Sequence, residues 1–449
     1  MKAKLKELAG GVVAPQGFQA GGVFCDIKRL GTGKGSDKGA KRDLALIVSD
    51  VPASVAGLFT TNQVCAAPVK ACVARLTKGV ARGIVVNSGN ANACTGRIGR
   101  RDAETMARLA GKALQIDPTE IFVGSTGRIG VTLPMPQVSA GIAACAQALG
   151  SEVAHADAAT EAIMTSDTKP KQIAVEFKLG GHIVHIGGMC KGAGMIQPGM
   201  SPTGARPATT MAGLHATMLC FLTTDASVDA RTLQAALNEA VALSFNRITV
   251  DGDMSTNDTV LLLANGLAGN AARDLRDRKS AEFARFQAAL NHVCLSLARM
   301  IVRDGEGVNR VVTVRVSGAR HAADAEAAAR SVANSALVKT SWHGGDPNWG
   351  RIIDALGYSP ATIIEDRVDI GYSAPDSRKI LWSLRRGQPT RTPFAALWQA
   401  VQPREFELHV RLNQGRGEAV IYAADLTEAY VDYNKGTIAD PSQAGSLGG

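Results

Sequence analysis

Short apolar runs rich in β-branched residues alternate with longer stretches of helical spacing along most of this chain. Runs at 83–87, 121–124, 173–178, 218–223 and 259–263 predict strands. Apolar positions recurring every three or four residues predict helices at 102–114, 137–149, 229–243 and 280–302. Beyond residue 300 the pattern predicts a strand at 311–316, a helix at 322–333 and a hairpin at 405–424 turned at Asn413-Gln-Gly-Arg-Gly. Such interleaving implies an α/β chain of layered α+β sandwich type. A soft boundary near residue 300 separates a larger unit, 1–300, from a smaller α/β unit, 301–437, and the Gly- and Ser-rich residues 438–449 read as a mobile tail. No internal repeat interrupts this order.

Composition narrows the class. A chain of 449 residues buries one large core or two ordinary ones, and 45% apolar with 20% charged residues is the balance of a soluble globular protein. No apolar run approaches the ~18 residues of a membrane span, and the first ten residues lack the apolar core of a signal peptide, so a cytoplasmic protein with no membrane segment is expected. The net charge of +9 reflects 49 basic against 40 acidic residues. Its local clusters, 273–279 and 378–386, alternate in sign or sit near turns, which favours a solvated surface over a nucleic-acid site. A basic balance also suits an acidic small substrate. The eight cysteines form no Cys-x-x-Cys pair and read as buried free thiols, while a spacing of three puts His182 and His185 on opposite faces of a strand. No metal site is expected.

Candidate chemistry gathers in loops beside the predicted strands. Lys191-Gly-Ala-Gly-Met-Ile-Gln-Pro-Gly-Met leads to an apolar run, 216–222, whose first polar residue is Thr217. A threonine hydroxyl is a poor nucleophile without a base beside it, and a Thr that heads its own chain has that base in its α-amine. Gly124-Ser-Thr-Gly-Arg-Ile-Gly130 follows an apolar strand, and its glycines allow backbone N–H groups to approach a ligand. Asn87-Ser-Gly-Asn-Ala-Asn-Ala93 reads foremost as an Asx turn, with a polar pocket wall as the alternative. Asp251 to Asp258 begins like a calcium loop, yet Leu262 stands where that loop needs a glutamate.

In combination these segments are far more specific. Phe59-Thr-Thr-Asn-Gln-Val-Cys-Ala-Ala-Pro-Val69, the asparagine loop 87–93, the glycine loop 124–130, Lys191-Gly-Ala-Gly-Met-Ile196, Ala216-Thr-Met-Leu219, Val250-Asp-Gly-Asp-Met-Ser-Thr-Asn-Asp258, Asp304-Gly-Glu-Gly307 and Asp346-Pro-Asn-Trp-Gly-Arg-Ile352 occur in one order. From about Gly10 to Asn434 the chain resembles the ornithine acetyltransferase family, also called glutamate N-acetyltransferases. The resemblance implies a DmpA/ornithine-acetyltransferase-like fold and self-cleavage of the Ala216–Thr217 bond, giving an α-chain of residues 1–216 and a β-chain from 217. It further implies Thr217 as nucleophile, Thr126 and Gly127 as the oxyanion hole, and Thr165, Lys191, Thr217, Glu306 and Asn434 as substrate-binding positions. The implied partners are N-acetylornithine and glutamate, with no resident cofactor or metal and an α2β2 assembly of the cleaved chains; whether acetyl-CoA is a co-substrate is left open by the sequence.

The departures from that pattern fall near the site. Residues Ser201 to His215 are inserted between Pro198-Gly199-Met200 and Ala216, and Ala208-Thr209-Thr210-Met211 partly imitates the cleavage motif. Thr217 is preferred because the apolar strand and Thr223-Thr-Asp-Ala226 follow it. Arg128, Val308-Asn309-Arg310 and Ala439 also differ from the usual residues. Three functional expectations therefore stand: the arginine-pathway transferase or a specialised paralogue of it, an N-terminal-nucleophile amidase that passes its acyl group to water, and an unprocessed binding protein.

Overall fold

The computed structural model describes residues 5–28, 41–205 and 218–435. Its first sheet has ten strands: β1 (Lys6–Leu8), β2 (Phe18–Val23), β3 (Leu44–Thr60), β4 (Val80–Asn90), β5 (Ile121–Arg128), β6 (Lys171–Leu179), β7 (His182–Lys191), β8 (Met200–Ser201), β9 (Leu219–Thr224) and, after β10 (Ile248–Thr249), β11 (Thr259–Ala264). They run in the order β1-β6-β7-β9-β11-β3-β4-β5, with β2 and β8 both paired to the long β3. The β9–β11 and β4–β5 pairs are parallel, while β7–β9 and β3–β11 are antiparallel.

Both faces of this sheet are covered, as the unbroken apolar runs of its central strands require. In β9, Cys220 and Leu222 face a core built with helices Ala230–Ala242 and Ala281–Arg303, while Leu219 and Phe221 face the other side, packed with helices Ala67–Leu76 and Val153–Ile163. Leu219, Phe221 and Leu222 each contribute about 1.5–3 kcal/mol by their burial. Helix starts follow the sequence signals: Asp229 accepts from Thr232 N–H at 3.0 Å and the Ser280 hydroxyl from Phe283 N–H at 3.0 Å.

The second sheet contains β10, β12 (Val311–Ala319), β13 (Asp369–Ser373), β14 (Leu381–Arg385), β15 (Gln388–Pro389), β16 (Glu405–Arg411) and β17 (Gly417–Ala424), ordered β10-β17-β12-β16-β13-β14-β15. Here the expected hairpin is corrected. β12 lies between β16 and β17, parallel to the first and antiparallel to the second. The turn loop clasps the end of β12 instead of joining paired strands, since Leu412 N–H donates to Ser317 O at 2.9 Å and Gly415 N–H to Gly318 O at 2.9 Å. A turn signature reports chain reversal, and five residues reach across an intervening strand as readily as they close a hairpin. β10, from the first 300 residues, pairs with β17 at the edge of this second sheet. The tail 438–449 lies outside the described residues.

Five cysteines are buried as expected, but Cys25 and Cys65 are only partly covered and Cys94 is exposed. Cys94 sits at positive φ, 56°, in the turn before helix Gly96–Leu114, where its side chain points away from the sheet core. No helix among the described residues is long and apolar enough to cross a membrane.

Candidate active site

β5 carries the proposed oxyanion residues. Thr126 is 1% exposed, and its hydroxyl has no hydrogen-bond partner among the described residues. Gly127 has φ +129°, and a Cβ there would lie 2.3 Å from the carbonyl carbon of Gly89 on β4. Only glycine fits this crossing, because both the backbone angle and the close approach exclude a side chain. The end of β5 is braced from outside: Asn257 donates through Nδ2 to Ser125 O at 2.8 Å and to Ala91 O at 2.7 Å. Ser125 Oγ donates to Asn87 Oδ1 at 2.6 Å. The asparagine loop is largely this brace, and Asn90 Oδ1 accepting from Asn92 N–H at 2.8 Å is the expected Asx turn.

Lys191 closes β7 with its side chain 2% exposed, its Nζ 4.0 Å from Asp167 Oδ2. Asp167 holds three neighbours: its Oδ2 accepts from Thr165 N–H at 2.9 Å, and its Oδ1 from Gly192 N–H and Lys171 Nζ, each at 2.7 Å. Lys171 Nζ also reaches Asp304 Oδ2 at 2.5 Å. Burial pushes Asp167 up, but the ammonium groups of Lys191 and Lys171 and the Gly192 N–H outweigh it and hold the carboxyl well below the usual range. For Lys191 burial prevails and lowers its affinity for the proton against the attraction of Asp167. The opposite balance holds at Lys171, where Asp167 and Asp304 overcome burial and raise it.

Glu306 meets the same loop. Its N–H donates to Ala193 O at 2.9 Å, and Asn434 Nδ2 donates to its Oε2 at 2.9 Å. A Cβ on Gly194 would lie 2.3 Å from the Glu306 carboxyl, which would have to swing aside to admit one. The turn through Met195 is held by Asp251, whose carboxyl accepts from Met195 N–H at 2.6 Å and Ile196 N–H at 2.7 Å. Thus Thr165, Lys191, Glu306 and Asn434 share one neighbourhood: Asp167 joins the first pair and the loop 191–196 joins the rest. The ring of Phe221, on β9, lies 3.2 Å from where a Cβ of Gly124 would stand, which brings β5 against the strand that follows Thr217. Ala216, Thr217 and residues 206–215 of the insertion lie outside the described residues.

Sequence reasoning missed the groups that hold these positions. Asp258 is fully buried, and its Oδ1 accepts from Met218 N–H at 2.6 Å. Burial raises its carboxyl well above the usual range, against the opposing pull of the Met218 N–H and Lys191. Asp167 and Lys171 were likewise passed over, and Asp304 was read only as the first residue of a motif. The available signal was a charged residue at the mouth of an apolar strand, a costly placement unless the group has a partner or a task.

With this geometry in view, the chain matches the ArgJ family over residues 20–436. It is 49% identical over 427 residues to the "Arginine biosynthesis bifunctional protein ArgJ" of Symbiobacterium thermophilum, covering 95% of this chain and 98% of that protein. A "Glutamate N-acetyltransferase" of Methanocaldococcus jannaschii is 39% identical over 435 residues, 96% of this chain and 99% of its own length. Among solved structures, an ornithine acetyltransferase complexed with ornithine from Mycobacterium tuberculosis is 39% identical, covers 44% of this chain and 100% of that chain, and superposes with a TM-score of 0.40.

Proposed function

Because the chain belongs to the ArgJ family, we propose that it is an N-acetyltransferase of arginine biosynthesis that moves the acetyl group of N-acetylornithine to glutamate. The observation that carries this reading is the agreement with a relative named an arginine biosynthesis bifunctional protein across 95% of the chain at 49% identity.

Self-cleavage comes first. The Thr217 hydroxyl attacks the Ala216 carbonyl, the Ala216–Thr217 C–N bond breaks, and water hydrolyses the resulting ester. The freed α-amine, with an unperturbed pKa of roughly 7.7–8.0, is partly neutral near pH 7 and takes the hydroxyl proton in the next reaction. Thr217 then accepts the acetyl group, ornithine departs, and the glutamate amine attacks the acetyl ester in a ping-pong sequence. A buried Thr126 hydroxyl with no partner among the described residues, next in sequence to Gly127, supports their use as oxyanion donors. Lys191 meets the substrate carboxylate and Glu306, steadied by Asn434, its ammonium group. Acetyl-CoA serves as a second acetyl donor, in keeping with the word "bifunctional" in the relatives' names. No resident cofactor is needed, and the enzyme works in the cytoplasm as an α2β2 assembly of its cleaved chains.

Intact mass spectrometry of the purified protein beside Thr217→Ala, followed by assay of acetyl transfer from N-acetylornithine to glutamate, tests the reading. Two fragments divided at Ala216–Thr217, with cleavage and transfer both lost in the variant, are expected. An active variant would remove Thr217 from its role, and a cleaved wild type without transfer would remove the substrates.

A further inference from the structure

The start of β9 is held from both sides. β7 ends beside it, pairing Lys191 with Leu219, and β11 begins on its other flank, pairing Thr259 with Leu219. Thr259 N–H donates to Met218 O at 3.1 Å, and Thr60 N–H donates to Asp258 O at 2.9 Å. Backbone bonds therefore fix Asp258 relative to Met218 before its side chain is considered. That side chain grips the Met218 N–H at 2.6 Å through Oδ1, while Oδ2 is buried with no hydrogen-bond partner among the described residues. Met218 N is the peptide nitrogen that joins it to Thr217.

We propose that Asp258 is a positioning residue for the Thr217 nucleophile: through Oδ1 it pins the Met218 amide, the nitrogen of the peptide bond that follows the nucleophile. This deepens the function proposed above and rests on it. A buried polar atom left without a partner is costly, and such atoms persist where they serve a function. Burial raises the carboxyl and favours its neutral form, which offers an accepting oxygen to Met218 and a donating O–H from Oδ2. Asparagine has the same shape and the same pairing of acceptor and donor, so it imitates the neutral acid closely; alanine provides neither group.

Precursor cleavage is followed by intact mass during cell-free synthesis of the full chain for wild type, Asp258→Asn and Asp258→Ala, with thermal melting and steady-state transfer measured on each purified product. Asp258→Asn is expected to cleave and turn over within about threefold of wild type. Asp258→Ala loses about a hundredfold in cleavage rate and in kcat, the effect of roughly 1 Å of misplacement, while its KM for N-acetylornithine is unchanged. A merely structural contact would lower the melting temperature without separating kcat from KM. Should the alanine variant not fold, Asp258→Ser, whose hydroxyl is too short to reach the Met218 amide, is judged by the same criteria. Wild-type rates in Asp258→Ala, or an equal loss in Asp258→Asn, would overturn the proposal while leaving Thr217 as nucleophile. A wild-type chain that never cleaves would instead overturn the reading on which it rests.

Discussion

Lys171→Met removes the buried ammonium that bridges Asp167 at 2.7 Å and Asp304 at 2.5 Å. The side chains of Lys171, Asp167 and Asp304 are only 2%, 0% and 8% exposed, so water cannot take the place of the lost cation. Methionine nearly matches the lysine stem in volume, which leaves the electrostatic loss as the main effect. Breaking a buried pair by removing one partner costs about 3–5 kcal/mol. At about 2.1 cal/mol/K of unfolding entropy per residue, 449 residues give roughly 0.9 kcal/mol/K, so cooperative unfolding of the chain would begin about 3–5 °C lower. Scanning calorimetry measures the shift, and adding Asp304→Asn to Lys171→Met should recover part of it by removing one orphaned carboxylate. A melting temperature within about 1 °C of wild type in the single variant, well below the loss worked out from the entropy, would refute the reasoning. So would a double variant that melts lower still.

The remaining predictions probe the site itself. Thr126→Val keeps the shape and removes a hydroxyl with no partner among the described residues, so melting should hold steady while acetyl transfer falls about a hundred- to thousandfold; unchanged turnover would exclude the hydroxyl as an oxyanion donor. Gly194→Ala presses a Cβ against the flexible Glu306 carboxyl, so the protein should fold normally and show a KM for the amino-acid substrate raised about 10–100-fold, as for one misplaced charged hydrogen bond; an unaltered KM would separate Glu306 from binding. The Asp167 carboxyl is held below its unfolded value, so its stabilisation is complete above the unfolded pKa of about 4 and is lost as pH falls through the folded value. Asp167→Asn should therefore melt lower than wild type at pH 7 and flatten the acid limb of the stability curve, and an unchanged limb in acid-titration calorimetry would argue against that coupling.

Apolar patterning located five strands of the first sheet, where each was a local matter, and passed over the long β3 and its neighbours β2 and β8. The run at 121–124 is the first half of β5 and that at 259–263 nearly all of β11, while the four helices expected before residue 303 lie within a few residues of their place, apart from the earlier start of Gly96–Leu114. The neighbourhood of the candidate residues was legible only as ordered motifs. Nothing in the spacing of Thr165, Lys191, Glu306 and Asn434 says that they meet, and Asp167, which joins two of them, drew no notice. Asp258 stood inside a motif that was weighed as a calcium loop and counted toward the family resemblance, with no role given to the aspartate itself. Its place at the entrance to an apolar strand was visible, but its partner, the Met218 amide, is 40 residues away in sequence.

Sequence by itself determined the alternation of elements, the family and the candidate nucleophile, since periodicity and short motifs are properties of neighbouring residues. Tertiary structure alone decided that β12 separates β16 from β17, that β10 crosses to the second sheet, and that Lys171 neutralises two buried aspartates. Strand order and ion pairing between distant segments are set by which surfaces can be buried together and by which buried charges can find partners. Those are sums over the whole fold, and no local pattern encodes them.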